Sequence, residues 1–210
     1  MTTKEKLQDL VERYQCAKDK GQLQNASEAT MRTWIDELLS VFGWDVQNTH
    51  QVLTEHSLGK EEKEKLNQIG STNTRPDYTL VNGSVMLAFV DAKRNSIDIK
   101  NAKDIAFQIR SYGWSIGAPF SIVTNFETLA IYDCSPMPKI EDYANISRIY
   151  FLKYDEYVDK YEILNSFLSR TNVIAGNLKF VAKKANNLDE TFSKMLGDIR
   201  KKLAKAILRD

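Results

Sequence analysis

The sequence predicts a mixed α/β fold, a β-sheet flanked by helices, and three stretches predict it. DYTLV, an Asn82-Gly83 turn and SVMLAFVDAK together form the strongest short-range hairpin signal in the chain. FSIVTN and TLAIYD read as two further strands joined by a short turn. Between them and the hairpin, residues 101–113 set Ile105, Ala106, Ile109 and Tyr112 at helical spacing. A mixed sheet with helices packed on it accommodates this order.

The remaining elements follow along the chain. Residues 3–20 place Leu7, Leu10, Val11, Tyr14 and Ala17 on one helical stripe, and Gly21 ends that helix. Asn25 or Ser27 can cap a second helix, whose Met31, Trp34, Ile35, Leu38, Leu39 and Phe42 form a broad apolar face before Gly43. Trp44 to Leu53 is short and β-like. Residues 57–75, SLGKEEKEKLNQIGSTNTR, are polar and charged and are expected to form a mobile surface loop. Beyond Arg148 the sequence predicts a strand at IYFL, a helix around Tyr154–Leu168, an irregular patch and a final helix from about Leu188 to Ile207. The expected organisation is one domain over 1–150, helices included, and a helical extension or connector over 151–210. No internal repeat and no low-complexity tract interrupts it.

Composition narrows the class. The 210 residues are 42% hydrophobic and 27% charged, enough for one sizeable core. No run approaches the ~18 apolar residues of a membrane-spanning helix, and MTTKEKLQDLVERYQ lacks the apolar segment of a signal peptide, so a cytoplasmic location is expected. Cys16 and Cys134 are too few for a zinc site and are expected to be reduced. His50 and His56 have no Cys or His partners at ligand spacing. With 29 Lys and Arg against 28 Asp and Glu, the net charge of +1 gives no bulk basicity, so any contact with nucleic acid must rest on local sites. Arg200, Lys201, Lys202, Lys205 and Arg209 read as a solvated helix face. Trp34 and Trp44 read as core or domain-closing aromatics, and Trp114 as core or a stacking platform.

The chemistry concentrates at the hairpin. Asp91 and Lys93 are two apart on a predicted strand, so both emerge on one face, while Val90 and Ala92 point into packing. The run VMLAFV before them is uniformly apolar, as in a strand buried on both faces, and charges at its end are costly without partners. Asp77 stands at the outer end of the partner strand. Two carboxylates brought together there can bind Mg²⁺, which prefers hard oxygen ligands. Register decides whether they meet. A two-residue Asn82-Gly83 loop pairs Val81 with Ser84 and Asp77 with Ala88, leaving Asp91 out of register and on the opposite face. A site therefore requires a longer loop or a bulge.

Pro76-Asp77, then Asp91-Ala92-Lys93, then Gln108 and Tyr112 four apart on the following helix, resembles the PD-(D/E)XK nuclease pattern with the QxxxY extension found in type I and type IIG restriction enzymes. SEATMRTWIDELLSVFGWDV resembles the first helix of such domains, with Glu28 matching a glutamate that approaches the metal and Arg32 following one turn later; Glu37 is the alternative. SIVTNFETLAIYD resembles the strand pair after the QxxxY helix. The resemblance covers roughly residues 25–135 and implies a restriction-endonuclease-like core. It also implies a Mg²⁺ site (Mn²⁺ may substitute) at Asp77, Asp91 and Glu28, Lys93 as the catalytic lysine, and Gln108 and Tyr112 as its support. Asp91 stands where many relatives have Glu. On its own, Glu28 is equally a first-turn carboxylate favoured by the helix dipole.

LDETFSKMLGDIRKKLAKAILRD resembles, more loosely, the connector into the methyltransferase region of type IIG enzymes. The sequence has neither a methyltransferase motif nor a GxxxxGK loop. The implied partners are double-stranded DNA, a methyltransferase or specificity region outside this chain, and a second copy for double-strand cleavage. Lys60, Lys63, Lys65 and Arg75 could order on DNA. A non-catalytic DNA-binding module, or a nuclease acting on RNA or repair intermediates, is the alternative.

Overall fold

Six strands lie in the sheet in the order in which they occur along the chain, β1 (Val52–Thr54), β2 (Tyr78–Asn82), β3 (Val85–Ala92), β4 (Phe120–Thr124), β5 (Thr128–Asp133) and β6 (Arg148–Lys153). The computed structural model describes residues 1–176. Every neighbouring pair is antiparallel except β3 and β4, which run parallel. A parallel pair needs a crossover, and α4 (Lys103–Ile116) supplies it. This is the mixed α/β sheet flanked by helices that the sequence predicts, and the architecture is compatible with a restriction-endonuclease-like fold.

The two sheet faces are covered by different helices. Phe89 on β3 packs against Tyr112 of α4, ring centroids 5.8 Å apart, within a core that also takes Ile105, Ile109, Val123 and Ala130. Successive strand residues alternate between faces, and Tyr78, paired with Val90, turns its hydroxyl to Asp36 of α2 (Glu28–Val41) at 2.7 Å. Ser27 caps α2 through its side chain, as one of the two expected caps. α1 (Thr3–Asp19) packs beside α2, where Tyr14 meets Trp34 edge-on at 5.2 Å and Phe126 at 4.4 Å.

Three expectations change. Residues 57–75 are not a structureless loop, because they contain α3 (Lys60–Gln68). Leu58 and Leu66 are the reason: both are buried in the α4-side core and give this polar segment an anchor. The apolar run of β3 is not buried throughout, since Val85 is 59% exposed and only Ala88 to Ala92 are enclosed. The expected boundary at 150/151 falls inside β6, which pairs with β5 across five positions. After a single 3₁₀ turn, α5 (Tyr161–Leu168) brings Phe167 onto Phe120 at 5.1 Å, and α6 (Arg170–Ala175) follows. Residues 151–176 thus complete the same unit as the sheet. The expected final helix lies outside the described residues. No helix among the described residues is long and apolar enough to cross a membrane.

Candidate active site

The β2–β3 hairpin sets the register on which the site depends. Its loop is Gly83-Ser84 rather than Asn82-Gly83, for Asn82 pairs with Val85 and Val81 with Met86. Gly83 takes φ 62°, at the first central position, where a II′ turn calls for glycine. The pairing then slips by one, with Leu80 opposite Ala88 and Tyr78 opposite Val90, so Leu87 is the extra residue of a bulge. Moving the turn by one residue shifts the register by two, and the bulge adds one more. The next position of this register sets Asp77 across from Asp91, on the face of Phe89 and Tyr112. Of the two devices that the sequence required, the structure uses the bulge.

Local hydrogen bonds fix the two aspartates. Beyond the Tyr78–Val90 pair, the Asp77 side chain takes over from the backbone ladder, its Oδ2 accepting the Ala92 N–H at 2.7 Å. The Lys93 N–H donates to the Thr124 carbonyl at 2.9 Å and extends the parallel pairing. From there Lys93 Nζ donates to Asp91 Oδ2. Asp91 is 2% exposed. Burial pushes its carboxyl above the ordinary range; Lys93 opposes this, and the nearby Asp77 charge adds to it. A buried carboxylate that ionises reluctantly beside a second carboxylate is a place where a cation lowers the energy.

Gln108 and Tyr112 reach the same place from α4. Gln108 Nε2 donates to the Tyr112 hydroxyl at 3.0 Å. Burial raises the Tyr112 phenol to about 12, with the Gln108 bond lowering it and the charges of Asp91 and Asp77 raising it. An open groove of about 390 Å³, lined by Thr72, Asn73, Lys103 and Phe107, adjoins Gln108.

Glu28 is placed differently. Its Oε1 lies 3.4 Å from Arg32 Nη2, and the same nitrogen donates to Asp77 Oδ1. Glu28 is thus linked to Asp77 through a guanidinium. Among the described residues no three His, Cys, Asp or Glu side chains gather closely enough to hold a metal ion, so Glu28 does not stand with the two aspartates. Glu37, the alternative, is tied at 2.5 Å to Arg13 of α1. Asp77 and Asp91 alone fit Mg²⁺, which is commonly held by one or two carboxylates, with water and substrate phosphate completing its shell.

Glu55, and the role of Arg32 beyond its place one turn after Glu28, are not legible in the sequence. Glu55, just beyond β1, takes a left-handed φ of 48° and accepts from Arg32 Nη1 at 2.6 Å. Arg32 itself is the hub of the cluster: burial lowers its pKa, but the Glu55 hydrogen bond and the Asp77 charge more than offset this. Neither role leaves a local signal, because the residues meet only through the fold. The basic residues of 57–75 are not a free set, as Lys65 donates to the Ser115 carbonyl at 3.0 Å. Trp44 is core, its indole N–H bonded to the Leu168 carbonyl at 2.7 Å.

Comparison with known proteins bears on the same reading. The chain is 31% identical over 223 aligned positions to the type II restriction enzyme and methyltransferase RM.Eco57I of Escherichia coli. The whole chain is similar to part of a restriction enzyme. The match takes in 100% of this chain and 22% of that protein, so the chain spans about one fifth of its relative's length. No family model and no solved structure matches the chain.

Proposed function

We propose that this chain is a Mg²⁺-dependent endodeoxyribonuclease domain of the PD-(D/E)XK type, belonging to a restriction–modification enzyme and hydrolysing phosphodiester bonds of double-stranded DNA. The observation that carries this reading is the hairpin register, in which the Gly83-Ser84 turn and the bulge at Leu87 together set Asp77 across from Asp91 with Lys93 hydrogen-bonded beside them. A strand bearing two such charges at its buried end has little structural reason to keep them.

Asp77 and Asp91 would hold the ion, and Mn²⁺ would serve in its place. When bound, the ion polarises the scissile phosphate and lowers the pKa of a bound water. Lys93, whose ammonium already points at Asp91, orients the attacking water and offsets charge developing on the phosphate oxygens. Water supplies the new phosphorus–oxygen bond, the bond to the leaving oxygen of the chain breaks, and that oxygen takes up a proton. Gln108 and Tyr112 brace the site from α4, and the groove beside Gln108 gives the strand a path. Glu28 would join the metal only by leaving Arg32.

The similarity to a part of a restriction enzyme and methyltransferase supports a DNA substrate and a methyltransferase region outside this chain. One such site cuts one strand, so double-strand cleavage calls for two copies. Supercoiled-plasmid cleavage with Mg²⁺ or Mn²⁺ tests the proposal, comparing the chain with Asp91→Ala and Lys93→Ala. Nicking or linearisation lost in both variants is expected. Cleavage that survives in both would show that another site is responsible. No cleavage by a wild-type chain that binds Mn²⁺ would favour a domain that cuts only with its partner region.

A further inference from the structure

Three carboxylates from three separate segments converge on the Arg32 guanidinium. Nη2 donates to Asp77 Oδ1 and, at 3.4 Å, to Glu28 Oε1, while Nη1 donates to Glu55 Oε1 at 2.6 Å. Glu28 opens α2, Glu55 follows β1 and Asp77 precedes β2. The left-handed backbone of Glu55 is a conformation that non-glycine residues keep only where their surroundings hold them. From it, the Glu55 N–H donates to the Asp77 carbonyl at 2.9 Å. Glu55 therefore grips both the Asp77 backbone and the cation on the Asp77 side chain.

Asp77 has other anchors besides this guanidinium. Its carbonyl is held by Glu55, and its Oδ2 by the Ala92 N–H at 2.7 Å. What Arg32 alone contributes is charge. Against the three carboxylates of Glu28, Glu55 and Asp77 it sets a single positive charge, leaving the cluster net negative. Lys93 does the same for Asp91. Each aspartate of the site thus already has an internal cation on one oxygen. The Arg32 side chain is 25% exposed, so the pair is only partly screened by water.

We propose that Arg32 is the resident counter-cation of the site: it holds divalent-cation affinity down by occupying Asp77 and Glu28 together, so that filling the site is coupled to displacement of the guanidinium. This rests on the metal-site reading above. Divalent cations and the guanidinium compete for the same carboxylate charge, and removing the resident charge favours the metal.

Mn²⁺ titration calorimetry on the full chain tests this with Arg32→Met, Arg32→Lys, Glu55→Gln and Asp91→Asn. Arg32→Met keeps length but not charge and is expected to bind Mn²⁺ at least about tenfold more tightly than wild type. Arg32→Lys keeps the charge but not the two-nitrogen fork, so binding should tighten by less than in Arg32→Met. Glu55→Gln removes a rival for the guanidinium and one negative charge, so binding should weaken about threefold or more. General damage would weaken binding in every variant, whereas the counter-cation role moves Arg32→Met and Glu55→Gln in opposite directions. A folded Arg32→Met that binds as wild type does, or more weakly, overturns the role while leaving the metal site standing. If Arg32→Met does not fold, Glu55→Gln decides, and tighter binding overturns the role. An Asp91→Asn variant that binds Mn²⁺ as tightly as wild type, or no binding by wild type and Arg32→Met alike, overturns the metal site itself and the proposal with it.

Discussion

Replacing Asp91 by Asn should stabilise the metal-free protein at neutral pH. Asn keeps the shape of the side chain and an acceptor for Lys93 Nζ but removes the charge that burial disfavours. Asp91 is 2% exposed, and its carboxyl is pushed upward by burial, against the attraction of Lys93 and with the repulsion of Asp77. A carboxyl whose folded-state pKa lies above its unfolded value contributes stability fully present below the unfolded pKa and lost as pH rises through the folded pKa. The advantage of the variant is therefore absent near pH 4, opens as pH rises out of the ordinary carboxylate range, and levels off above the folded pKa. The gain from relieving the buried charge is partly offset because Lys93 loses its counter-charge, so the net gain is about 1 kcal/mol, and in a chain of this size each kcal/mol moves the melting temperature by about 2–4 °C. Urea unfolding in EDTA at a series of pH values from 4 to 8 measures it. A variant less stable than wild type at pH 8, or a difference flat across the series, would show that the Lys93 attraction outweighs the cost of burial and would refute the reasoning.

Two further substitutions probe the frame that holds the site. A Cβ at Gly113 of α4 would lie 2.6 Å from Cys134 Cβ and from Ser121 Oγ, so Gly113→Ala should force the helix off the sheet and cost about 1–3 kcal/mol; an unchanged urea midpoint would show that the strands yield freely. Trp44→Phe removes the donor to the Leu168 carbonyl and part of a fully buried ring, with an expected loss of about 2–4 kcal/mol in thermal or urea unfolding. A loss below about 0.5 kcal/mol would mean that the C-terminal helices do not depend on this contact.

The hairpin, the Asp-Ala-Lys ending of its second strand and the Gln-Tyr helix were legible because each has a local signature: a Gly-containing turn, side-chain alternation, and i,i+4 spacing. Register was legible only as a requirement. The sequence shows that Asp77 and Asp91 cannot meet across an ideal Asn82-Gly83 turn, but whether a loop or a bulge repairs the mismatch depends on how β3 packs, and no dipeptide signals the bulge at Leu87. The helix at Lys60–Gln68 was hidden by its charge, since only Leu66 within it is buried and one apolar residue makes no periodic pattern. The Arg32 cluster was hidden by topology. Its members are separated by 23 and 45 residues along the chain and meet only because β1 joins β2 at the sheet edge above the start of α2.

The order of the strands in the sheet, identical to their order along the chain, bears on how the protein folds. Each strand finds its neighbour as the next one in sequence; the β2–β3 and β4–β5 connections are short turns, residues 55–77 with α3 join β1 to β2, and α4 bridges the single parallel step. Sequence-distant contacts come from the ends: Tyr14 of α1 with Glu127 and Phe126, and Trp44 with Leu168. Closure entropy falls mainly on these. The hairpin carrying Asp77 and Asp91 therefore belongs to the part that can form early, and the packing of the terminal helices to the part that locks late.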